Sequence, residues 1–371
     1  MKTFKLILTA LLAAQLLAAC TDGEIQMTTT INRNGSCQRM VAFAADSATL
    51  VGSYDSSTQM AHLLTDSAWG KTWRIKGDTA RHAYPMTPKQ YGELRVKMAD
   101  KNLSDTLLVC AERNFASVEE MGAATPLVLN GEPLRPQVSL TKRFRWFYTD
   151  YVYEETYPSQ RDLFVYPITD FVEEDVLSYW FTGEPELMPG YSPAEKKAKY
   201  DMVEEQCDRW VVANYVAAAF DGVAAMYDSL GDVPFSKADY MAQRDSLVHY
   251  ALDRQFSFED KIDTLFSGYF RSHAYDAAFA SASYEQITEA KLDAFIELMG
   301  LEVDYRLVMP GKIRDVGTGI LGDDAIHYHL TGSRLIPADN YSLTATSRAV
   351  NVWAFLLTAL LIVAVFWKKR K

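Results

Sequence analysis

The chain has 371 residues, about half of them hydrophobic, which is enough for a large core and one or two domains. Its formal charge is −11, and setting aside the six cations at its ends (Lys2, Lys5, Lys368, Lys369, Arg370 and Lys371) takes the body to −17. A surface of that sign excludes nucleic acid as a partner, since such binding needs cations to release phosphate counterions, and it is expected to hold the body off anionic headgroups.

At the N-terminus, Lys2 and Lys5 precede an apolar run from Leu6 to Leu17 and the small-residue box Ala18-Ala19-Cys20. This is the pattern of a bacterial lipoprotein signal peptide over residues 1–19. Cys20 is the expected lipidation site, because a diacylglyceryl group is attached through sulfur and palmitate-type acylation follows on the new N-terminus. Three further cysteines, Cys37, Cys110 and Cys207, allow one disulfide at most, and none has CxxC spacing.

The region 20–170 is expected to be mainly β. Ile25, Met27, Thr29 and Ile31 alternate with polar residues, and Asn34-Gly35 is expected to supply the positive φ angles of a tight hairpin turn. Further strands are predicted in "YGELRVKMA" from Tyr91, "TLLVCAERNF" from Thr106 and "RFRWFYTDYVYEETY" from Arg143, with a short capped helix from Ser117. The aromatic strand puts Phe144, Trp146 and Tyr148 on one side. These three are the candidate wall for an apolar or glycan ligand, against the plainer reading of a strand packed on both faces.

The region 171–300 is expected to be helical. Ser192, Pro193 and Glu195 form a capping box with proline at the first helical position. Tyr200, Val203, Cys207, Trp210, Val211, Asn214, Tyr215 and Ala218 then step by three and four along one face. Further helices are predicted from Ser236, from Ser257, and from Ser283 to a stop at Gly300.

Residues 301–347 return to strands ("EVDYRLVMP", "DAIHYHLT", "YSLTATS"). The fold class is therefore α+β: an antiparallel sheet from N- and C-terminal strands, a helical middle section, and one C-terminal transmembrane helix. That helix is expected at 348–367. Ala349 to Trp367 carries no charge, Trp353 and Trp367 sit near its two ends, and Lys368-Lys369-Arg370-Lys371 follow as a cytoplasmic basic tail. Both terminal strands then have short tethers to the bilayer. If they are neighbours, they pair antiparallel and close the β portions into one sheet, so that two anchors fix orientation and height.

No catalytic motif emerges. "GTGILG" at Gly317–Gly322 matches a dinucleotide fingerprint, but a strand with Asp323-Asp324 follows where a helix is required, so it reads as a hairpin loop. His327 and His329 share a strand face without a visible third ligand. Adjacent acids (Glu154-Glu155, Glu173-Glu174, Glu204-Glu205, Asp323-Asp324) read as solvated surface rather than as a facing carboxylate pair. No catalytic residue, metal site or cofactor is assigned.

From Tyr305 to Arg348 the chain resembles the end of bacterial LppM-type membrane-tethered lipoproteins. The shared layout is a strand, the turn Pro310-Gly311, the glycine hairpin around Gly317-Thr318-Gly319, another strand, and a last strand running into a membrane helix. The Asn34-Gly35 hairpin is similar to that family's opening. The strand after the glycine hairpin departs from it, with Ile326-His327-Tyr328 where the family often has a tryptophan, and the helical section has no counterpart there. The resemblance implies a membrane-tethered module that binds lipid, and it carries no catalytic residue.

The reading that follows is a non-catalytic lipoprotein of the cell envelope. It is anchored in the bacterial inner membrane by lipid and transmembrane helix, with its body on the periplasmic side and its C-terminus in the cytoplasm. Its helical section is expected to bind another envelope component, a protein in the first reading. The alternative is a lipid or glycolipid carrier, which requires an apolar cavity of several hundred Å3, and a third reading is an envelope hydrolase.

Overall fold

The computed structural model describes residues 25–54, 60–100, 106–173, 176–177, 181, 190–257, 260–337 and 339–370. Residues 1–19, the expected signal peptide, and Cys20 lie outside the described residues. The fold is α+β, and the chain divides into two compact units. A helical unit takes Ser159–Gly300 and Gly332–Asp339, and a sheet unit takes Thr21–Pro158, Leu301–Thr331 and Asn340–Lys371.

In chain order the first strands are β1 (Ile25–Ile31), β2 (Cys37–Ala44), β3 (Gly70–Ile75), β4 (His82–Ala83), β5 (Leu107–Phe115), β6 (Leu127–Leu129) and β7 (Glu132–Leu134). They are followed by β8 (Gln137–Phe144), β9 (Tyr148–Tyr157), β10 (Glu302–Val308), β11 (Lys312–Asp315), β12 (Ile320–Leu321), β13 (Ile326–Thr331) and β14 (Tyr341–Val350). One sheet has the order β12-β13-β10-β1-β2-β5-β3-β4, a second β11-β14-β9-β8, and β6 and β7 pair alone. Alternation sets the core between the two large sheets. Ile25, Met27, Thr29 and Ile31 are buried from the first, and Tyr151, Tyr153, Glu155 and Tyr157 from the second.

The first and last strands are not neighbours, which corrects the single closed sheet. β1 pairs parallel with β10 and antiparallel with β2, while β14 pairs with β9 and β11 in the other sheet. Nor does β1 lead away from the end of β14. It is the far end of β1 that lies there, with Arg33 in the following turn donating to the Val350 carbonyl at 3.3 Å. In that turn only Gly35 takes a positive φ, +97°. The loop closes through Asn32 N to Ser36 O at 2.8 Å and Gly35 N to Asn32 O at 3.0 Å, so Asn34 need not share the left-handed conformation.

The stretch from Tyr91 is helical rather than extended: α1 spans Pro88–Asp100. Thr87 and Gln90 cap it reciprocally, the Gln90 amide donating to the Thr87 hydroxyl at 3.2 Å and Thr87 N to Gln90 Oε1 at 2.9 Å, and Pro88 takes the first helical position. The capped helix α2 (Val118–Ala124) starts from Ser117 as read. "RFRWFYTDYVYEETY" is two strands, not one, since β8 ends at Phe144 and β9 begins at Tyr148. The "GTGILG" segment forms the hairpin into β13, with Ile320 opposite His327.

In the helical unit, α3 (Pro193–Ala225) begins at the Ser192 capping box, with both reciprocal bonds formed. α4 (Arg244–Asp253), α5 (Ile262–Phe270) and α6 (Ala282–Met299) follow, with short helices at Lys237–Met241 and Asp276–Phe279. Ser257 and Asp260 close a turn, and the helix after them starts at Ile262. α6 is capped by Ser281, two residues before the predicted start, and ends at Gly300. An aromatic core holds these helices together: Tyr240 stacks on Phe220 at 4.1 Å and donates its hydroxyl to the Phe220 carbonyl, with Phe266, Phe270 and Tyr275 around it.

The last helix, α7, spans Val352–Arg370. It starts later than predicted because Ala349 and Val350 are still strand, opposite Thr149 and Tyr148 of β9. Its uncharged part, Val352–Trp367, is 16 residues, which at about 1.5 Å per residue reach about 24 Å, somewhat short of a bilayer's mean hydrocarbon thickness, and the three cations of the last turn extend beyond it. By length and composition it can cross a membrane.

Candidate functional site

The helical unit contains a partly open cleft of about 620 Å3. Its floor is the α3 face legible in the sequence: Trp210, Val211, Asn214, Tyr215 and Ala218. The opposite wall comes from α6 through Tyr284, Thr288, Leu292 and Phe295, and the third side from Leu163, Phe164 and Val165. Asn214 fixes that third segment by pairing with the Tyr166 backbone in both directions: its Nδ2 donates to the carbonyl at 3.0 Å and its Oδ1 accepts from the amide at 3.0 Å. The Trp210 indole donates to the same carbonyl at 2.9 Å. With the segment held, Phe164, Trp210 and Phe295 form an aromatic cluster with centroid separations of 4.7, 5.9 and 6.1 Å.

Charge is confined to other parts of the lining: Asp260 and Lys261 ahead of α5 and Asp263 in its first turn, and Glu285, Glu289 and Lys291 on α6. Lys291 is bound to Asp221 at 2.8 Å, which leaves the lining net acidic. Burial pushes the phenols of Tyr215 and Tyr284 up, so both stay neutral at physiological pH. The arrangement suits an apolar or amphiphilic guest, with an aromatic floor for the apolar part and polar groups for a head.

No family model, curated protein or solved structure matches this chain. Its chemistry is therefore argued from its own residues.

The sheet unit holds a second polar feature. Arg39 of β2 and Glu155 of β9 are fully buried between the two sheets and paired at 2.9 Å (Nη2–Oε2) and 3.3 Å (Nη1–Oε1). Glu155 also accepts from the hydroxyls of Tyr153 (2.5 Å), Tyr157 (2.8 Å) and Tyr305 (2.7 Å), and Thr29 pairs with Tyr305 at 2.7 Å. Burial raises the Glu155 carboxyl, but Arg39 and the hydrogen bonds outweigh it and hold the group below its ordinary range. Burial and the neighbouring carboxylate push the Tyr153 and Tyr157 phenols well up. With every member out of contact with solvent, the cluster joins the two sheets and offers no surface to a substrate. Glu155 is thus not the solvated acid that its neighbour Glu154 suggested.

The other sequence candidates are placed as follows. Glu204, Glu205, Asp323 and Asp324 are exposed, and Asp324 pairs with Arg306 at 2.7 Å. His327 and His329 share the exposed face of β13, where His329 lies 3.2 Å from Asp304. Among the described residues no group of three or more His, Cys, Asp or Glu side chains is arranged to hold a metal ion. Cys37, Cys110 and Cys207 are all free thiols.

Phe144, Trp146 and Tyr148 do not form one face of one strand. They bracket the β8–β9 turn, and the cleft is lined by other residues. Trp353 and Trp367 lie on α7 as expected, with Lys368, Lys369 and Arg370 in its last turn, and Lys371 lies outside the described residues. The sequence reading missed Phe164 and Phe295. They belong to a short segment and a separate helix, and nothing in local spacing ties them to Trp210.

Proposed function

We propose that this protein is a membrane-tethered lipoprotein whose helical unit binds an apolar or amphiphilic ligand, of the acyl-chain or isoprenoid class, in the α3–α6 cleft. The cleft carries this reading: its volume of about 620 Å3 falls within the range of roughly 300–1,000 Å3 usual for small-molecule sites. A concave aromatic floor fits such a guest better than a flat protein partner. Two of the large apolar side chains exposed on this unit, Leu163 and Val165, line the cleft itself. The resemblance of the C-terminal strands to LppM-type lipoproteins, which implies lipid binding, supports the same choice. In this reading Cys20 is acylated, α7 spans the inner membrane with its basic end in the cytoplasm, and both units are periplasmic.

The test is native mass spectrometry of the full chain ejected from nanodiscs, as wild type and as Ala218→Trp. Ala218 lines the cleft floor, so an indole there fills the space while α7 and its own lipids are unchanged. The wild type should retain one additional stoichiometric amphiphile that the variant loses. Identical spectra from two folded proteins refute the assignment.

A further inference from the structure

We propose that the β8–β9 turn, with the β1–β2 turn beside it, is a second membrane-contact site. In it Phe144, Trp146 and Phe147 enter the headgroup boundary of the bilayer crossed by α7, and Arg33, Lys142, Arg143 and Arg145 bind the phosphates of anionic phospholipids. The proposal rests on α7 being membrane-spanning, and it turns a candidate ligand wall into part of the anchor.

The three aromatic side chains are 56, 43 and 40% exposed, unusual for large apolar groups at a turn. Each is nevertheless in register with the start of α7. Phe144 stacks on Trp353 (6.3 Å, 6° between planes), Trp146 meets the same ring edge-on at 5.3 Å, and Phe147 lies 4.7 Å from Phe355. The patch is therefore continuous with the apolar surface of the helix.

Two sets of hydrogen bonds make this tip compatible with an apolar medium, where an unsatisfied polar group is costly. The Trp146 indole donates to Thr358 Oγ1 at 2.8 Å, and Thr358 is the one polar side chain between Val352 and Trp367. Thr358 lies six residues into α7, or about 9 Å along its axis. The turn's carbonyls are met by a single residue, Asn351: its Nδ2 donates to Arg145 O at 2.8 Å and Trp146 O at 3.3 Å, and its backbone N to Phe147 O at 2.9 Å. A turn facing only water would not need its indole and its carbonyls satisfied in this way.

The charges point the same way. The body is acidic overall, yet four exposed cations gather at this end. Lys142, Arg143 and Arg145 are at the tip itself. Arg33 is brought to it by its bond to the Val350 carbonyl, and the Lys142 ammonium donates to the Asn34 carbonyl at 2.6 Å, tying the two turns together. Aromatic rings flanked by cations at one end of an apolar helix match the order of layers in a bilayer interface.

The test uses the full chain in nanodiscs doped with a phospholipid that carries a photoactivatable group near the top of its acyl chain, and adducts are mapped by peptide mass spectrometry. In phosphatidylglycerol-rich discs, adducts should appear on α7 and on residues 142–147. Exchanging phosphatidylglycerol for phosphatidylcholine should lower the labelling of 142–147 several-fold and leave α7 labelling unchanged. The combined variant R33E/K142E/R143E/R145E in phosphatidylglycerol should show the same selective loss. Labelling of α7 alone overturns the contact site, and equal labelling of 142–147 in both lipids overturns the role given to the four cations. Labelling of neither segment overturns the membrane reading beneath both.

Discussion

Replacing Glu155 by glutamine tests whether the sheet unit depends on its buried ion pair. The substitution keeps the shape but leaves the Arg39 guanidinium without a counter-charge where water cannot reach it. Breaking such a pair by removing one partner costs about 3–5 kcal/mol. Glu155 accepts two bonds from Arg39 and one from each of three tyrosines, whereas among the described residues Arg39 has the Tyr305 hydroxyl and the Met27 sulfur besides Glu155. Glu155→Gln should therefore cost more than Arg39→Met, and the double variant less than the sum of the two. Amide hydrogen exchange on the full chain reads the sheet unit directly, and the slowest amides of β2 and β9 should exchange roughly two to four orders of magnitude faster in Glu155→Gln. The wild type should also show a two-sided pH dependence. Because the folded Glu155 carboxyl lies below its ordinary value of 4.5, its stabilisation is complete above that pH and is lost as pH falls through the folded value. Because Tyr153 and Tyr157 lie above their ordinary 10.0, their contribution holds below pH 10 and declines as pH rises beyond it. Protection in Glu155→Gln within tenfold of wild type, or an unchanged acid limb, refutes this account.

Gly311→Ala should lower the melting temperature of the sheet unit. Gly311 has φ +88°, and a Cβ there would run into the backbone carbonyl of Arg348, so the cost should exceed the 1–3 kcal/mol, approximately, of the backbone strain alone. An unchanged melt would show that the Pro310–Gly311 turn can shift away from β14. Burial pushes the Cys37 thiol up to about 11 and the Cys207 thiol up to about 12. Both should therefore resist maleimide at neutral pH until denaturant is added, and rapid labelling of the native chain at either position contradicts that burial.

Much of the architecture was legible because it is written in local pattern. The Ser192-Pro193-Ala194-Glu195 box starts α3 as read, and the α3 face from Trp210 to Ala218 proves to be the cleft floor. The same signal is present at Thr87-Pro88-Lys89-Gln90, but the alternation after it suits a strand as well as a helix; Tyr91, Leu94 and Met98 mark one helical face. The β8–β9 turn carries no glycine, proline or asparagine of its own. Its carbonyls are met by Asn351, far along the chain, so no local signal announces it. Glu155 could have been suspected from its place on a face otherwise made of Tyr151, Tyr153 and Tyr157, but its partner Arg39 sits on another sheet. The parallel partner of β1 was beyond local reading, since β1 has suitable alternation for either neighbour and only the whole fold decides between β10 and β14.

The pairing of β1 with β10 also constrains the order of assembly. Ile25 waits for Val303, and Tyr157 for Tyr341, so neither large sheet can be completed until the whole helical unit has been synthesised. Loop closure of that length is slow unless something shortens it. A helical unit that folded first, on its own aromatic core, would shorten it by holding its two ends closer than a coil of that length would. Until β10 arrives, one edge of β1 is left unpaired, an opening for mispairing between nascent chains. β14 is followed after a single residue by α7, so the closing of the second sheet and the placement of this apolar helix fall within one short stretch of chain.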